Sequence, residues 1–486
     1  MNHSKSRVRR GNVLVFVVLI LVGLIGIMAL AVDMGYLYVV RAKLQATAEA
    51  SALAGASALG LNETTVRQRA LDYAAKNTVG GTPVALQDQD IQLGQWNYAA
   101  RTFNPTAGTN LTPNAVHVTA QLAKSRNNAV GLFFAPILGI NTADVGASAT
   151  AVFGSRDIVL VLDYSASMND DSSISQSSGG GRTSSSIPKL GRTAVENQIQ
   201  LMYQQLGSPT YGKLTFTPQA SKTGNPLIEF GLSGVKYPYP SGSWSDYINY
   251  VAGYPSGTTY DPYRNKFGYL TLIDYWQAAW PSHNQTPDLW KASEEPVASV
   301  KDGVTVFLAF MNQQPTDDRI GFVSYTYTDF RAHLEVSLTT DFTSIQTRSQ
   351  QMQAGHYTPS TNIAAGLEAA RNELKTNGRA TAAKVIVLLT DGIANLPLNG
   401  GGGGENPSVG IADAKTQANL ALKDGFPIIT IGLGIDADVQ TLQYIANKTN
   451  GVFFQVPGGK NVNDFRQQLF DVFAQIAGYQ PLLLVD

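Results

Sequence analysis

The longest uncharged apolar stretch of the chain lies near its N-terminus. Residues 13–32 are twenty positions without a charge, and residues 1–12 before them carry four basic side chains and no acidic one. Twenty apolar residues are enough for a helix to cross the hydrocarbon core of a bilayer. The pattern predicts a transmembrane helix over 13–32, a cytoplasmic basic tail over 1–12, and an extracytoplasmic location for the rest of the chain.

A cleaved signal peptide is the alternative for this stretch, because Ala29 and Ala31 have the spacing of a cleavage site. The apolar run is longer than the core of a usual signal peptide, so we expect an anchor. Residues 33–59 are rich in alanine and contain no proline. We therefore expect the helix to continue to residue 59, over about 70 Å at 1.5 Å per residue.

Residues 60–154 show the alternating pattern of half-buried strands. Apolar and polar side chains alternate over 91–102, 115–122 and 145–153. Thr65 and Gln68 have the spacing of a capping box that opens a helix before these strands. We expect a small α+β ectodomain over 60–154, without catalytic residues.

Residues 155–486 have a different pattern, in which continuous apolar runs alternate with amphipathic helices. Such runs are typical of strands buried on both faces of a parallel sheet. The order predicts an α/β domain with a doubly wound parallel sheet. Residues 169–293 interrupt it with an aromatic-rich insertion that holds four of the five tryptophans. Its aromatic side chains could fill a small core of its own or form a recognition surface, and both interpretations stay open.

Side chains that carry oxygen lie at the ends of the predicted strands. They are Asp163, Ser165 and Ser167 after the first strand, Thr361 before a helix, and Asp391 after a later strand. Open α/β sheets place their ligand sites at the carboxyl ends of the strands. Hydroxyl and carboxylate oxygens suit a small hard cation, most of all Mg²⁺, with Mn²⁺ or Ca²⁺ as alternatives.

The spacing of the first three residues is weak evidence by itself. It recurs at Asp171, Ser173 and Ser175, in a stretch rich in glycine and serine with no strand before it. We interpret the second copy as chance. The first copy gains its weight from Thr361 and Asp391.

Composition excludes several classes of function. The formal net charge is −1 and the chain contains no cysteine, so neither a nucleic-acid footprint nor a thiolate metal site is indicated. The sequence has five histidines and no recognisable hydrolase or phosphate-binding motif. We therefore expect a protein that is not an enzyme.

The N-terminal segment resembles TadE/TadG-like Flp pilus-assembly proteins. The resemblance rests on Arg-Gly-Asn at 10–12, Val-Asp at 32–33, and the run Leu-Gln-Ala-Thr-Ala-Glu-Ala-Ser-Ala-Leu-Ala-Gly-Ala at 44–56. Glu49 stands where the family usually has aspartate. Phe16 stands where a prepilin-peptidase site would have glutamate, so we expect an anchored, unprocessed protein. The resemblance implies other Tad pilus components as partners.

The later segment resembles von Willebrand factor type A (VWA) domains with a metal-ion-dependent adhesion site. The resemblance covers roughly 155–168 and 294–478. It implies hydroxyl ligands from the two serines and the threonine, and aspartates that bind directly or through water. The residues that carry it, in the family's order, are Asp163, Ser165, Ser167, Thr361 and Asp391. Apart from the resemblance, Mg²⁺ held by so few charges would keep an exchangeable water, which an acidic side chain of a protein partner can replace.

Together the two resemblances predict a minor pilin-like protein of a Tad/Flp pilus system in the bacterial inner membrane. It would be single-pass, with its N-terminus in the cytoplasm and its bulk in the periplasm or on the cell surface or pilus. It would bind partners or surfaces through the metal. A periplasmic metal-dependent scaffold or regulator of a membrane complex is one alternative, and an extracytoplasmic hydrolase is another.

Overall fold

The chain folds as two units, and the second is inserted into the first. A computed structural model describes residues 11–59, 61–79, 82–97, 100–106, 112–172, 191–211, 226–252, 269–314, 316–434, 436–457, 462–478 and 482–485. The first unit holds Met1–Gly154 together with Gln480–Asp486, and the second holds Ser155–Tyr479. The basic tail up to residue 10, and Ser173 and Ser175 of the repeated spacing, lie outside the described residues.

The helices and strands of the described residues are numbered in chain order. The helices are α1 Gly11–Ala56, α2 Glu63–Ala75, α3 Gly191–Gln205, α4 Pro226–Glu229, α5 Trp244–Ala252, α6 Tyr269–Ala279, α7 Val297–Gln313, α8 Phe342–Gln350, α9 Ile363–Thr376, α10 Pro407–Asp424, α11 Val439–Lys448 and α12 Val462–Gly478. The strands are β1 Thr78–Val79, β2 Thr82–Pro83, β3 Ile91–Asn97, β4 Thr102–Pro105, β5 Ala115–Leu122, β6 Val130–Gly131, β7 Thr142–Ala143, β8 Val145–Phe153, β9 Arg156–Asp163, β10 Arg319–Tyr325, β11 Ala332–Thr339, β12 Ala383–Thr390, β13 Ile428–Leu433, β14 Phe453–Val456 and β15 Leu482–Leu484.

Helix α1 is continuous over 46 residues, as the sequence predicted, and ends three positions before the expected residue 59. It is long and apolar enough to cross a membrane. Its second half changes character, because Val40, Leu44, Ala48 and Ala52 are buried. These positions repeat every four residues and therefore lie on one face of the helix. They pack into the core of the first unit, whose sheet includes β5 and β8.

Helix α2 begins earlier than predicted. The side chain of Asn62 accepts hydrogen bonds from the backbone N–H of Thr65 at 2.9 Å and from its hydroxyl at 3.0 Å. The Gln68 amide donates to Asp72 at 2.7 Å. The predicted capping box is wrong, because Asn62 is the residue that caps the helix.

The first unit contains an antiparallel sheet in the order β15-β8-β5-β3-β4 among the described residues. The predicted strand over 91–102 is two strands, β3 and β4, which pair with each other. Strand β15 comes from the end of the chain and pairs with β8, where Leu482 lies opposite Phe153. The sequence pattern predicted that the whole of 155–486 belongs to the second domain, whereas the structure returns the last residues to the first unit.

The second unit is built on a sheet whose described strands have the order β11-β10-β9-β12-β13-β14. Strand β9 lies in the middle, parallel to β10 and β12, and all its residues are buried. Strand β11 is antiparallel to β10 at the edge. It was not predicted, since its residues are almost all half-buried and form no continuous apolar run. The parallel core with flanking helices agrees with the predicted α/β fold.

The aromatic insertion extends the core of the sheet. Trp276 is fully buried, and Trp244 nearly so. Both belong to the same hydrophobic cluster as Leu162 of β9 and Phe307 of α7. The interpretation of a separate small core is therefore wrong for the described part of 169–293. Filling a core is the role that the structure gives to these two tryptophans.

Candidate metal centre

Strands β9 and β12 bring the two predicted aspartates to one edge of the sheet. The strands are parallel neighbours, with Leu162 opposite Leu389. Asp163 is the last residue of β9, and Asp391 follows the last residue of β12. Because the carboxyl ends of neighbouring parallel strands lie side by side, the two carboxylates meet there. Both are buried, with exposed fractions of 0% and 1%.

Hydrogen bonds hold the Asp163 carboxylate in one orientation. Its Oδ1 accepts from the backbone N–H of Ser165 at 2.8 Å. Its Oδ2 accepts from the hydroxyl of Thr390 at 2.6 Å. Thr390 thus positions Asp163 from the neighbouring strand, a role that the sequence analysis did not assign to it.

The serines connect Asp163 with Asp391. The hydroxyls of Ser165 and Ser167 lie 3.1 Å apart. Ser167 donates to Oδ1 of Asp391 at 2.8 Å. The other oxygen of Asp391, Oδ2, is buried without a hydrogen-bond partner in the structure. A buried carboxylate oxygen without a partner is costly, and a bound cation would remove that cost.

Thr361 joins the cluster from the loop before α9. Its backbone N–H donates to Oδ1 of Asn395 at 2.7 Å, and its carbonyl accepts from the N–H of Asn395 at 3.0 Å. A Cβ added to Gly392 would lie 3.7 Å from Oγ1 of Thr361 and 3.8 Å from Oγ of Ser167. Both hydroxyl oxygens therefore lie close to Gly392, and all five predicted residues lie in one cluster.

Asn362 and Asn395 hold this loop, and sequence reasoning missed the roles of both. Asn362 caps α9 by accepting from the N–H of Ala365 at 3.0 Å, so Thr361 is not the cap. Its amide donates to the carbonyls of Phe330 and Pro397, each at 2.8 Å. An asparagine directly before an amphipathic helix is a capping signal, so the role of Asn362 could have been found. No comparable signal marks Asn395.

The cluster holds two buried carboxylates, and its three hydroxyls are neutral, so they do not offset the negative charge. Burial raises the pKa of the Asp391 carboxyl well above its usual range, and the charge of Asp163 raises it further. Burial also raises the pKa of Asp163, against the lowering effect of the hydrogen bonds from Thr390 and Ser165. A divalent cation would remove this repulsion.

The donor set fits a hard divalent cation of the Mg²⁺ class. It consists of oxygen atoms alone, two carboxylates and three hydroxyls, and one carboxylate oxygen has no partner. Mg²⁺ keeps several waters and needs few protein ligands. In the part of the chain that the structure describes, no group of three or more His, Cys, Asp or Glu residues could hold a metal. The hydroxyls are therefore essential to any cation site here.

A largely parallel sheet with flanking helices is the fold that the family comparison also indicates for the second unit. The model of the von Willebrand factor type A domain matches residues 290–468. The match begins after β9, and the structure places that strand at the centre of the same sheet.

Two further family models match the first unit. The Flp pilus-assembly TadE/G-like model matches residues 11–58, and the Tad-like Flp pilus-assembly model matches 42–151. The chain thus carries TadE/G-like and Tad-like segments joined to a VWA domain. Comparison of the sequence with curated proteins gives no match.

Solved structures with similar folds include several from pilus proteins. A mutant of the PilB minor pilin from Streptococcus sanguinis is 10% identical, over 81% of this chain and 87% of that chain, with a TM-score of 0.34. The vWF domain of the type V pili tip protein Mfa5 from Porphyromonas gingivalis is 14% identical, over 67% and 96%, with a TM-score of 0.30. A von Willebrand factor type A structure from Catenulispora acidiphila is 15% identical over 38% of each chain, with a TM-score of 0.28.

Proposed function

We propose that this protein is a membrane-anchored component of a Tad/Flp pilus system that binds a partner through a divalent cation in its VWA domain. The observation that carries the binding site is the buried, unpartnered Oδ2 of Asp391 beside the hydroxyls of Ser165, Ser167 and Thr361. The Tad-type segments and the apolar half of α1 support the pilus role and the anchor. The function is binding, without turnover.

Each residue of the cluster has a distinct part in this proposal. Asp163 and Asp391 supply negative charge, and Thr390 keeps the first of them in place. The three hydroxyl oxygens are neutral ligands, so the two aspartates supply all the negative charge that these five residues give to the cation. A bound Mg²⁺ would supply an exchangeable position that an acidic side chain of the partner can occupy.

The basic tail supports one orientation in the membrane. Basic residues before a membrane span remain on the cytoplasmic side, which puts both folded units outside the cytoplasm. The VWA site would then face the periplasm or the cell exterior, where pilus subunits and surfaces are found.

Calorimetric titration of Mg²⁺ into the full-length protein in nanodiscs tests the site. We expect saturable binding to the wild type and none to Asp163→Ala. Asp471→Ala is the control, because Asp471 is an exposed aspartate of α12 in the same unit, and it should keep the binding. Saturable Mg²⁺ binding that survives Asp163→Ala would overturn the site assignment.

Labelling of intact cells tests the pilus role separately. A tagged protein should be detected on the exterior of piliated cells, and Asp163→Ala should reduce its association with pili but not its amount in the membrane. The same periplasmic location in piliated and non-piliated cells would exclude the pilus role and favour a scaffold.

A further inference from the structure

An exposed apolar loop lies beside the point where α1 leaves its predicted span. Residues 133–140 read Phe-Phe-Ala-Pro-Ile-Leu-Gly-Ile. Ile137 and Leu138 are 83% and 80% exposed. The other large apolar side chains of the loop are also exposed, namely Phe133, Phe134 and Ile140. Five large apolar side chains exposed together mark a surface that binds something apolar.

The loop is the tip of a hairpin without charged residues. Strands β6 and β7 pair at its base, and no charged residue occurs between Arg126 and Asp144. Asp144 accepts from the backbone N–H of Lys124 at 2.9 Å and closes the base. The charged positions therefore lie where the hairpin begins and ends, and the apolar positions lie at the tip.

Asp33 fixes this tip to α1. Its side chain is 2% exposed and accepts three backbone N–H bonds, from Phe133 at 2.8 Å, Phe134 at 3.0 Å and Ala135 at 2.7 Å. The ring of Tyr36 lies edge-on to that of Phe133, with centroids 5.0 Å apart. A carboxylate with three amide donors is a strong, directional attachment.

The hydrogen bonds of Asp33 determine the position of the tip along α1. Asp33 is the first residue after the predicted span 13–32. Of the described side chains from 15 to 32, Ala29 alone is partly covered, one turn before Asp33 on the same face. The tip therefore lies beside the last turn of the span, at the height of a bilayer interface.

We propose that the tip of residues 133–140 inserts into the interfacial layer of the bilayer leaflet from which α1 emerges. This inference rests on the membrane location of α1 proposed above and goes beyond the function of the VWA site. Lipid is the occupant that fits, because the apolar surface is continuous with the exposed apolar surface of the span. Apolar residues at this depth enter the boundary between headgroups and acyl chains. The tip and the helix would give the first unit two contacts with one membrane.

The absence of cysteine allows a direct test on the full-length chain. Ile137→Cys carries an environment-sensitive fluorophore, and the protein is reconstituted into phosphatidylcholine–phosphatidylglycerol vesicles. Thr64→Cys is the matched control, exposed on α2 in the same unit. Helix α2 packs around Gly55, where an added Cβ would lie 3.4 Å from that of Ala70. Gly55 is roughly 33 Å beyond Asp33 along α1 at 1.5 Å per residue, so the control on α2 lies far from the proposed interface.

We expect the label at 137 to shift to the blue and to be quenched by nitroxides on the lipid chains. The label at 64 should stay accessible to aqueous iodide. Asp33→Asn should weaken the nitroxide quenching at 137 while the protein stays in carbonate-washed membranes. Iodide quenching at 137 equal to that at 64 would overturn the proposal, as would a blue shift without nitroxide quenching, which indicates a covering protein. Release of the wild type by carbonate would instead refute the anchor itself.

Discussion

Asp391→Asn should abolish the thermal stabilisation that Mg²⁺ gives to the second unit. Asparagine keeps the size of the side chain and an oxygen that can accept from Ser167, which lies 2.8 Å from Oδ1 in the wild type. It removes the buried charge that a cation would neutralise. The fold should therefore survive while cation binding is lost.

The size of the effect follows from linkage. A ligand that binds only the folded state, at 100 times its Kd, adds about 2.7 kcal/mol to the free energy of unfolding. Unfolding entropy is about 2.1 cal/mol/K per residue, or about 0.7 kcal/mol/K for the roughly 325 residues of the second unit. Saturating Mg²⁺ should therefore raise the Tm of the wild type by about 4 °C, and that of the variant by less than about 1 °C.

Without metal, the variant should be more stable than the wild type. Burial and Asp163 raise the pKa of Asp391 in the folded state. A raised pKa of an acid gives stability that is present below the unfolded value, near 3.9, and lost as the pH rises through the folded value. At pH 7.5 in EDTA, Asp391→Asn should therefore melt above the wild type.

Differential scanning calorimetry of the full-length protein, with EDTA or Mg²⁺ at pH 7.5, measures both effects. Asp471→Asn is the control, since it removes an exposed aspartate of α12 in the same unit and should keep the Mg²⁺ shift. An equal Mg²⁺ shift in Asp391→Asn and the wild type would refute the reasoning about the site. A metal-free variant that melts below the wild type would refute the electrostatic part.

Three further outcomes are expected. Ser167→Ala should weaken Mg²⁺ binding roughly ten-fold or more in calorimetric titration, because Asp391 loses its hydroxyl donor. Burial raises the pKa of Glu295 to about 7, so its stabilising effect is full below about 4.5 and lost as the pH rises through 7. Glu295→Gln should add up to about 3 kcal/mol in urea unfolding at pH 8 and little at pH 4.5. Gly366→Ala should lower stability by about 1–3 kcal/mol, since its Cβ would lie 2.7 Å from Val161 and 2.9 Å from Tyr325.

Unchanged Mg²⁺ affinity in Ser167→Ala would remove that hydroxyl from the site. A pH profile of Glu295→Gln parallel to that of the wild type would show that Glu295 does not titrate in the folded protein. For the glycine, Gly404→Ala is the control, because an added Cβ there meets nothing closer than 3.5 Å. Equal melting of the two alanine variants would contradict the packing argument.

The two aspartates of the candidate site could be predicted because each follows a strong local signal. Asp163 and Asp391 each end a continuous apolar run, and such runs identify buried parallel strands without knowledge of their neighbours. The order of the strands then brings the two ends together. Asn395 could not be predicted in the same way, because its contact with Thr361 depends on how two loops meet, and neither loop has a periodic pattern.

Two of the strands that were not predicted, β11 and β15, share a different cause. Strand β11 has side chains that are nearly all half-buried, and β15 has three leucines without alternation. Each lies at the edge of a sheet and depends on one neighbour, β10 or β8. Edge strands are defined by that pairing more than by their own pattern, so local sequence contains little evidence for them.

The position of β15 determines how a pulling force on a bound partner would reach the membrane. The chain leaves the first unit after Phe153 and returns to it at Leu482, and these two residues are paired neighbours in one sheet. Strand β8 also packs on α1, the helix that contains the predicted span. Force on a ligand of the VWA site would therefore enter the first sheet through two adjacent strands instead of one terminal linker. Two covalent connections share a load that a single linker would carry alone, and the ladder between β8 and β15 keeps them together.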